Sequence, residues 1–456
     1  MKSILAAALA AVLAGVSVQG EAAETSAELA GIREQLQSLM QRLDKLEQEN
    51  DALKAENENL KAQDDYLKAE TRGLRKESAT HANEASKVKG ADWAGRVAVK
   101  GDLRYRYEMI SDETALATSA TVPPGTQATA DRYRDRVRAR VNVEAKATDN
   151  ILVGIGMATT EGGDPRSSNQ SLDGVFTRKA FDLDLAYFDW KFASWGNLIG
   201  GKMKQPFVKP SQSLFWDNDV NPEGLALAFN RGIWFGTAYN YWIDEISGRE
   251  NTQTSDVMLQ GAQVGARLPL GGATLTLAAH YYDLASGQLR APGPFYNNSA
   301  NNNTTINFGT ATAPSLALVY DYEVANLSAE FATTLGSLPF VVFAEAAENQ
   351  DPDDLNSAWA AGFRLGAASN YRTWELGAMY QSLEKDALFA QLIDSDFGAG
   401  LTDTEGLLIR AGYAPVRNWV INATYFMNKL NVDVPNSVGA TEVDYDRLQV
   451  DFNLKF

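Results

Sequence analysis

From Val97 to the final residue, apolar and polar side chains alternate one by one. Val97, Val99, Leu103, Tyr105, Tyr107 and Met109 share one parity, and Lys100, Asp102, Arg104, Arg106 and Glu108 share the other. Val137, Ala139, Val141, Val143 and Ala145 alternate in the same way with Arg136, Arg138, Arg140, Asn142 and Glu144. Leu448, Val450, Phe452, Leu454 and Phe456 alternate with Arg447, Gln449, Asp451, Asn453 and Lys455. A period of two belongs to extended strands whose two faces meet different surroundings. A mean hydropathy of −0.27 excludes a bundle of membrane-spanning helices. Two folds remain: a soluble β-sandwich or solenoid, and an outer-membrane barrel with lipid outside and water inside.

Counting strands separates them. Sixteen fit between residues 93 and 456, with strand five over 196–206 and with 315–335 taken as one bent strand despite a parity slip near Val324. Tight turns fall at Asp149, Ser194–Asn197, Asn230–Arg231, Leu270–Gly272, Gly336–Ser337, Ser369–Asn370 and Ala414–Asn418. The other connections are longer and polar. Short turns at one end and longer loops at the other are required by an even barrel and not by a sandwich. Trp195, Trp242, Trp374 and Trp419 lie near strand ends, where aromatic girdles meet the membrane interfaces. The expected fold is all-β: a 16-stranded antiparallel transmembrane barrel over 93–456, preceded by a helical coiled coil.

The first 92 residues follow other rules. Lys2 and the apolar stretch Ile4–Val18 read as a signal peptide over 1–22, too short to span a bilayer as a helix. Over 24–76, apolar residues return at spacings of three and four. Leu36, Leu39, Leu43, Leu46, Asn50, Leu53, Asn57 and Leu60 form the proposed oligomerisation seam. Two apolar positions per heptad cannot bury themselves on a lone helix, so a partner strand is expected. Asn50 and Asn57 at a positions penalise out-of-register pairing. Leu at both a and d leaves dimer and trimer open. At 1.5 Å per residue the rod is about 70 Å long. A lone exposed helix is the alternative, and residues 77–92 read as a linker.

Composition then removes chemistry. The chain has 456 residues, no cysteine, two histidines and a net charge of −17. A disulfide scaffold, a thiolate metal site and a cysteine nucleophile are excluded. An acidic total argues against a nucleic-acid partner. Asp217, Asp219 and Asn221 open like a calcium loop, but Pro222 stands where the turn needs Gly. His280 and Asp283 lack a recognisable nucleophile motif. No catalytic site, metal or cofactor is expected.

Several segments resemble a known family: GDLRYRYE (Gly101–Glu108), the arginine run Arg132–Arg140, GGDPRSSNQ (Gly162–Gln170), LAYFDW (Leu185–Trp190), GGKMKQPF (Gly200–Phe207) and LFWDNDVNPEGLAL (Leu214–Leu227). They are similar to the proteobacterial "putative porin" family, and the N-terminal coil and the terminal Phe456 fit it too. The resemblance implies a homotrimeric channel in the Gram-negative outer membrane, with the coil in the periplasm. It names no substrate. In barrels of this kind Phe452, Leu454 and Phe456 would carry the assembly signal for the outer-membrane assembly machinery.

In sixteen-stranded porins the third loop typically folds into the pore, and here that is 207–222, carrying Asp217 and Asp219 with Glu223 just beyond. Arg104, Arg106, Arg136, Arg138 and Arg140 point inward by parity, as do Lys202 and Lys204 from strand five. A strand spans in about 9–11 residues, so Arg104, Arg106, Arg138 and Arg140 are expected at one level. Acid facing base across a narrow gap makes a transverse field. The same charges could instead tether the loop or solvate the lumen. Residues 91–146 carry a net +2 inside an acidic chain, which suggests a preference for anionic or zwitterionic solutes. The expected function is passive diffusion of small hydrophilic solutes and ions. The alternative is a structural or adhesive barrel tethered by its coil to peptidoglycan.

Overall fold

The computed structural model describes residues 38, 41, 42, 44–54, 56, 58, 61, 95–112, 131–245, 256–291, 293–436 and 439–456. The chain divides into two units, 1–94 and 95–456. In the first, every described residue is helical and exposed. Leu46 and Leu53 stand 62% and 61% exposed, and Asn50 lies between them on the same helix. Leu36, Leu39, Leu43, Asn57 and Leu60 lie outside the described residues, as do the signal segment 1–22 and the linker 77–92.

The second unit is a closed antiparallel barrel of sixteen strands. They are β1 Val97–Asp112, β2 Arg132–Thr148, β3 Ile151–Thr160, β4 Ala180–Ala193, β5 Gly196–Lys202, β6 Glu223–Arg231, β7 Trp234–Asp244 and β8 Val257–Leu270. They continue as β9 Ala273–Ala285, β10 Glu323–Leu335, β11 Leu338–Asn349, β12 Ser357–Gly366, β13 Thr373–Leu383, β14 Thr404–Val416, β15 Trp419–Leu430 and β16 Val443–Lys455. Each strand pairs with its neighbours in sequence, and β1 also pairs with β16. The seam closes on the last residue, where the Gly101 and Phe456 N–H groups each donate to the other's carbonyl at 3.0 Å. Closure removes the unpaired edges that an open sheet would present to lipid.

Short turns join β2 to β3 and every second pair after it, and loops join the rest. Gly271 and Gly336 take φ +64° and +62°, the left-handed region that two-residue hairpins require. The loops are L1 113–131, L2 161–179, L3 203–222, L4 245–256, L5 286–322, L6 350–356, L7 384–403 and L8 431–442.

Two strand boundaries depart from the sequence pattern. The stretch 315–335 is not one bent strand: Leu316–Leu318 pairs with Thr305–Asn307 inside L5, and the barrel strand begins at Glu323. The parity slip near Val324 marks that change of sheet. Strand five ends at Lys202 rather than 206. Gly201, at φ +108°, has the Ala186 carbonyl 2.2 Å from where a Cβ would stand, and the chain leaves the ladder there.

The outer face is a belt of exposed apolar residues, Leu103, Ile155, Leu183, Leu227, Val264, Leu327 and Ile409 among them. Trp190, Phe192, Trp195, Trp234, Tyr371 and Trp374 are exposed at the turn end, and Trp242 and Trp359 at the loop end. Phe192 meets Trp195 edge-on at 5.7 Å. Trp419 is half-buried.

Candidate pore constriction

Parity turns Arg104 and Arg106 of β1, Arg136, Arg138 and Arg140 of β2, and Asp451 and Asn453 of β16 to the inside. Register then sets who meets whom. Arg104 lies opposite Arg138, Arg106 opposite Arg136, and Asp102 opposite Arg140. On the other side Arg104 faces Asn453 and Arg106 faces Asp451. The arginines therefore climb three successive rungs rather than sharing one level, because pairing is set residue against residue.

Carboxylates are interleaved with them. Arg138 donates from Nε and Nη2 to Asp102 Oδ1 at 3.0 and 2.7 Å. Arg140 Nε donates to Asp102 Oδ2 at 2.8 Å. Arg106 grips Asp451 with Nε and Nη2, at 2.7 and 2.9 Å. Arg104 donates from Nε to Asn453 Oδ1 at 2.9 Å. Arg136 Nη2 donates to the Asn169 carbonyl at 3.0 Å. Arg134 pairs with the buried Glu108, which also accepts from Gln449.

L3 lies inside the barrel. Met203, Phe207, Leu214, Phe215 and Trp216 are buried against inward residues of β7 to β13, including Tyr239, Tyr282, Phe343 and Met379. Phe207 packs on Trp216 at 4.9 Å and on His280 at 4.7 Å between ring centres. Gln263 accepts from Val208 N and donates to its carbonyl, at 2.8 and 2.7 Å. His280, one of the two histidines, shares a 2.8 Å hydrogen bond with Tyr239 and acts as an anchor for this loop.

L3 carries Asp217 and Asp219 to different partners. Asp219 Oδ1 accepts from Arg140 at 3.2 Å, and its Oδ2 accepts from the Ser168 N–H and hydroxyl of L2. Arg138 and Arg140 hold its carboxyl below the ordinary aspartate range against the opposing effect of burial. Asp217 turns away from the arginines and accepts from the N–H groups of Ser395 and Asp219 at 3.0 and 2.7 Å. Burial, and then the nearby Asp394 and Asp219, push its carboxyl well up.

The loop that Asp217 meets, L7, is a second in-folded segment that strand parity does not announce. Ala387, Leu388, Phe389, Ala390, Leu392 and Ile393 are all buried in the same core as L3. Asp217 N donates to Leu392 O at 2.7 Å, and Asp394 N to Leu214 O at 3.0 Å. Beyond this contact, Asp396 accepts from Arg106 at 2.9 Å and pairs with Arg447 at 2.5 Å. L5 and L2 hold L7 from above. Thr304 binds both oxygens of Asp386, and Arg166 donates to the carbonyls of Ala390 and Gly400. The signal was present in the sequence as an apolar run, Ala387–Ile393, within an otherwise polar loop; such a run must be covered.

Between the strand wall and the two loops lies a cavity of about 820 Å³. Its lining includes eight cationic and eight acidic side chains. Arg104, Arg106, Arg138, Arg140, Lys204, Asp217 and Asp219 all border it. Lys204 does so from L3 and not from a strand. Arg136 lies outside that lining, buried under L2. Lys202 and Glu223 also fall outside it and pair with each other at 2.8 Å. They sit at the β5–β6 junction, directly opposite in register.

A family model described as "Putative porin" matches residues 57–317 and 312–456. No curated protein sequence matches the chain. Among solved structures, OmpT expressed in the outer membrane of Vibrio cholerae is 11% identical over 79% of this chain and 97% of that one, at a TM-score of 0.43. The high-pH structure of Pseudomonas putida OprB is 11% identical over 80% and 95%, at 0.49. The Salmonella typhi OmpF complex with daunomycin is 9% identical over 79% and 97%, at 0.45. The family match runs from within the helical unit through the last barrel strand, and the chain belongs to the "putative porin" family, an outer-membrane β-barrel channel for passive diffusion.

Proposed function

We propose that solutes cross this porin through the slot between the arginine wall and loops L3 and L7, and that the slot favours small zwitterionic or anionic solutes over cations. The observation that carries this reading is the charge around one cavity: four arginines on β1 and β2 face four carboxylates on L3 and L7, Asp217, Asp219, Asp394 and Asp396, and cationic and acidic side chains are equal in number over the whole lining. Equal numbers give the field a direction but little net sign. A dipolar solute is then oriented, and simple ions are sorted weakly. The test is a reversal potential across a planar bilayer under a potassium chloride gradient, with liposome swelling in glycine against an uncharged solute of similar size. A small potential and faster glycine entry are expected. Strong cation selectivity, unchanged in Arg138→Gln/Arg140→Gln, would overturn the reading.

The chain is further proposed to be exported through residues 1–22 and to assemble as a homotrimer. Its helix over 24–76 would pair in the periplasm through Leu36, Leu39, Leu43, Leu46, Asn50, Leu53, Asn57 and Leu60. The exposure of Leu46 and Leu53 supports a partner strand. Conductance steps in multiples of three, lost on deleting 24–76, are the expected outcome. Phe452, Leu454 and Phe456 are proposed to address the assembly machinery. A rod of about 70 Å would also have the reach to touch peptidoglycan. The second reading, a structural barrel tethered to the cell wall, is favoured by how much of the interior the loops fill. A protein that inserts but never conducts would select it.

A further inference from the structure

We propose that Arg104 and Lys204 form a carboxylate-holding subsite in the slot, so that small organic acids pass by binding and release as well as by diffusion. The proposal rests on the channel reading, since it places the subsite on the solute path. Four cations border the slot here: Arg104, Arg138, Arg140 and Lys204. Asp184 also borders the slot near Lys204 and accepts from Asn221 at 2.6 Å, but among the described residues only Asp102 and Asp219 bond directly to cations of this group. Both are committed: Asp102 takes Arg138 with one oxygen and Arg140 with the other. Asp219 gives one oxygen to Arg140 and the other to Ser168. Arg104 is left short. Its Nε is held by Asn453, and its nearest carboxylate, Asp451 at 3.7 Å, is already gripped by Arg106.

Among the described residues, the two terminal nitrogens of Arg104 have no acceptor, and the Lys204 ammonium has neither an acceptor nor a carboxylate within 4 Å. Arg104 also stands directly opposite Arg138 in the ladder, a like-charge pairing that costs stability unless an anion is shared. A carboxylate has two oxygens for the planar fork of a guanidinium and lone pairs left for an ammonium. Asn453 holds Arg104 by Nε alone, so the rest of the fork stays available to a ligand.

The experiment is calorimetric titration of the detergent-solubilised full-length protein with potassium succinate, with potassium chloride conductance recorded separately. The wild type is expected to bind succinate. Arg104→Gln should weaken binding about tenfold or more, and Lys204→Gln about threefold, in keeping with charge-assisted hydrogen bonds. Arg104→Lys should fall between, because it keeps the charge and loses the fork. Arg231→Gln, exposed at the turn end of β6 and outside the cavity lining, should bind as wild type. Lys204 is on a loop, so its variant tests the subsite even if Arg104→Gln fails to fold. Wild-type protein that conducts but binds no succinate would overturn the subsite and leave the channel. Unchanged binding in both Arg104→Gln and Lys204→Gln would overturn it as well. Binding without conductance would sink the channel reading and keep the subsite.

Discussion

The inside of this barrel has two unlike walls. On β16, β1 and β2 the inward residues are arginines, carboxylates and amides that pair with one another across the rungs. On the loop half of β7 to β13 they are mostly apolar or aromatic, Tyr239, Tyr241, Leu259, Tyr282, Leu284, Phe343, Met379 and Leu383, with a few buried polar groups such as Gln263, Glu345 and Gln381 among them. Both walls obey the same alternation. They differ in what the inner parity carries, and that difference decides where a loop can dock. An apolar inner wall in a wet barrel must be covered, and L3 and L7 cover it with Trp216, Phe215 and Phe389. Each such side chain contributes about 1.5–3 kcal/mol on burial. The charged wall is met by L7 at Arg106 and Arg447 and by L2 at Arg136, and its stretch with Arg104, Arg138 and Arg140 becomes one side of the slot. Apolar burial on one side of the barrel thus fixes the position of the carboxylates that face the other.

The hardest test of this division is to remove L7. Replacing 384–403 with a short turn should raise single-channel conductance several-fold, because the apolar wall loses half its cover. Phe389→Ala alone should cost about 3–5 kcal/mol of loop anchoring and raise conductance less. An unchanged conductance in both would mean that the slot is not bounded by that loop.

The charged wall is next. Asp102→Asn takes the shared carboxylate from Arg138 and Arg140 and should cost about 3 kcal/mol, since a largely buried charge left unpaired is strongly destabilising. It should also shift the reversal potential towards anions. A barrel that melts at the same temperature with the same potential would show that the rungs do not depend on that pairing.

The contact between the loops should respond to pH. Asp217 has its carboxyl pushed up by burial and by Asp394 and Asp219, and Asp394 is itself pushed up by burial and Asp396. A carboxyl raised in the folded state stabilises the fold below its unfolded pKa, and that contribution is lost as pH rises through the raised value. Asp217→Asn should therefore slow hydrogen exchange of 203–222 and 384–403 at neutral pH and change little in acid. Equal exchange at neutral pH would break the link between burial and loop closure. The smallest effect is expected at Lys202→Gln. Its exposed pair with Glu223 lies off the slot, is worth less than about 1 kcal/mol, and should leave selectivity unmoved.

Much of the barrel was legible because lipid and water impose opposite demands on successive residues. Leu448 to Phe456 reads as a strand with its apolar face out, and Phe456 closes the seam with Gly101. L3 was legible through its place in the loop order, as the family resemblance implied, while the burial of its Phe215 and Trp216 is a finding of the structure. Less legible was 315–335, where a loop ladder and a barrel strand follow one another with only a parity slip between them. Glu223 and Lys202 carry the right charges for a constriction, yet register pairs them at a strand junction away from the cavity lining.

The sequence by itself determined strand count, the inner and outer parity of strands such as β1, β2 and β16, and the alternation of short turns with long loops. These follow from a period of two, which is a local property. Only the tertiary structure decided that L7 joins L3 inside, that Asp396 meets Arg106 across 290 positions, and that Asp451 meets it across 345. Parity says that a residue faces the lumen. It does not say what stands opposite, because that depends on how the closed sheet brings its first and last strands together and on which inner wall is apolar enough to hold a loop.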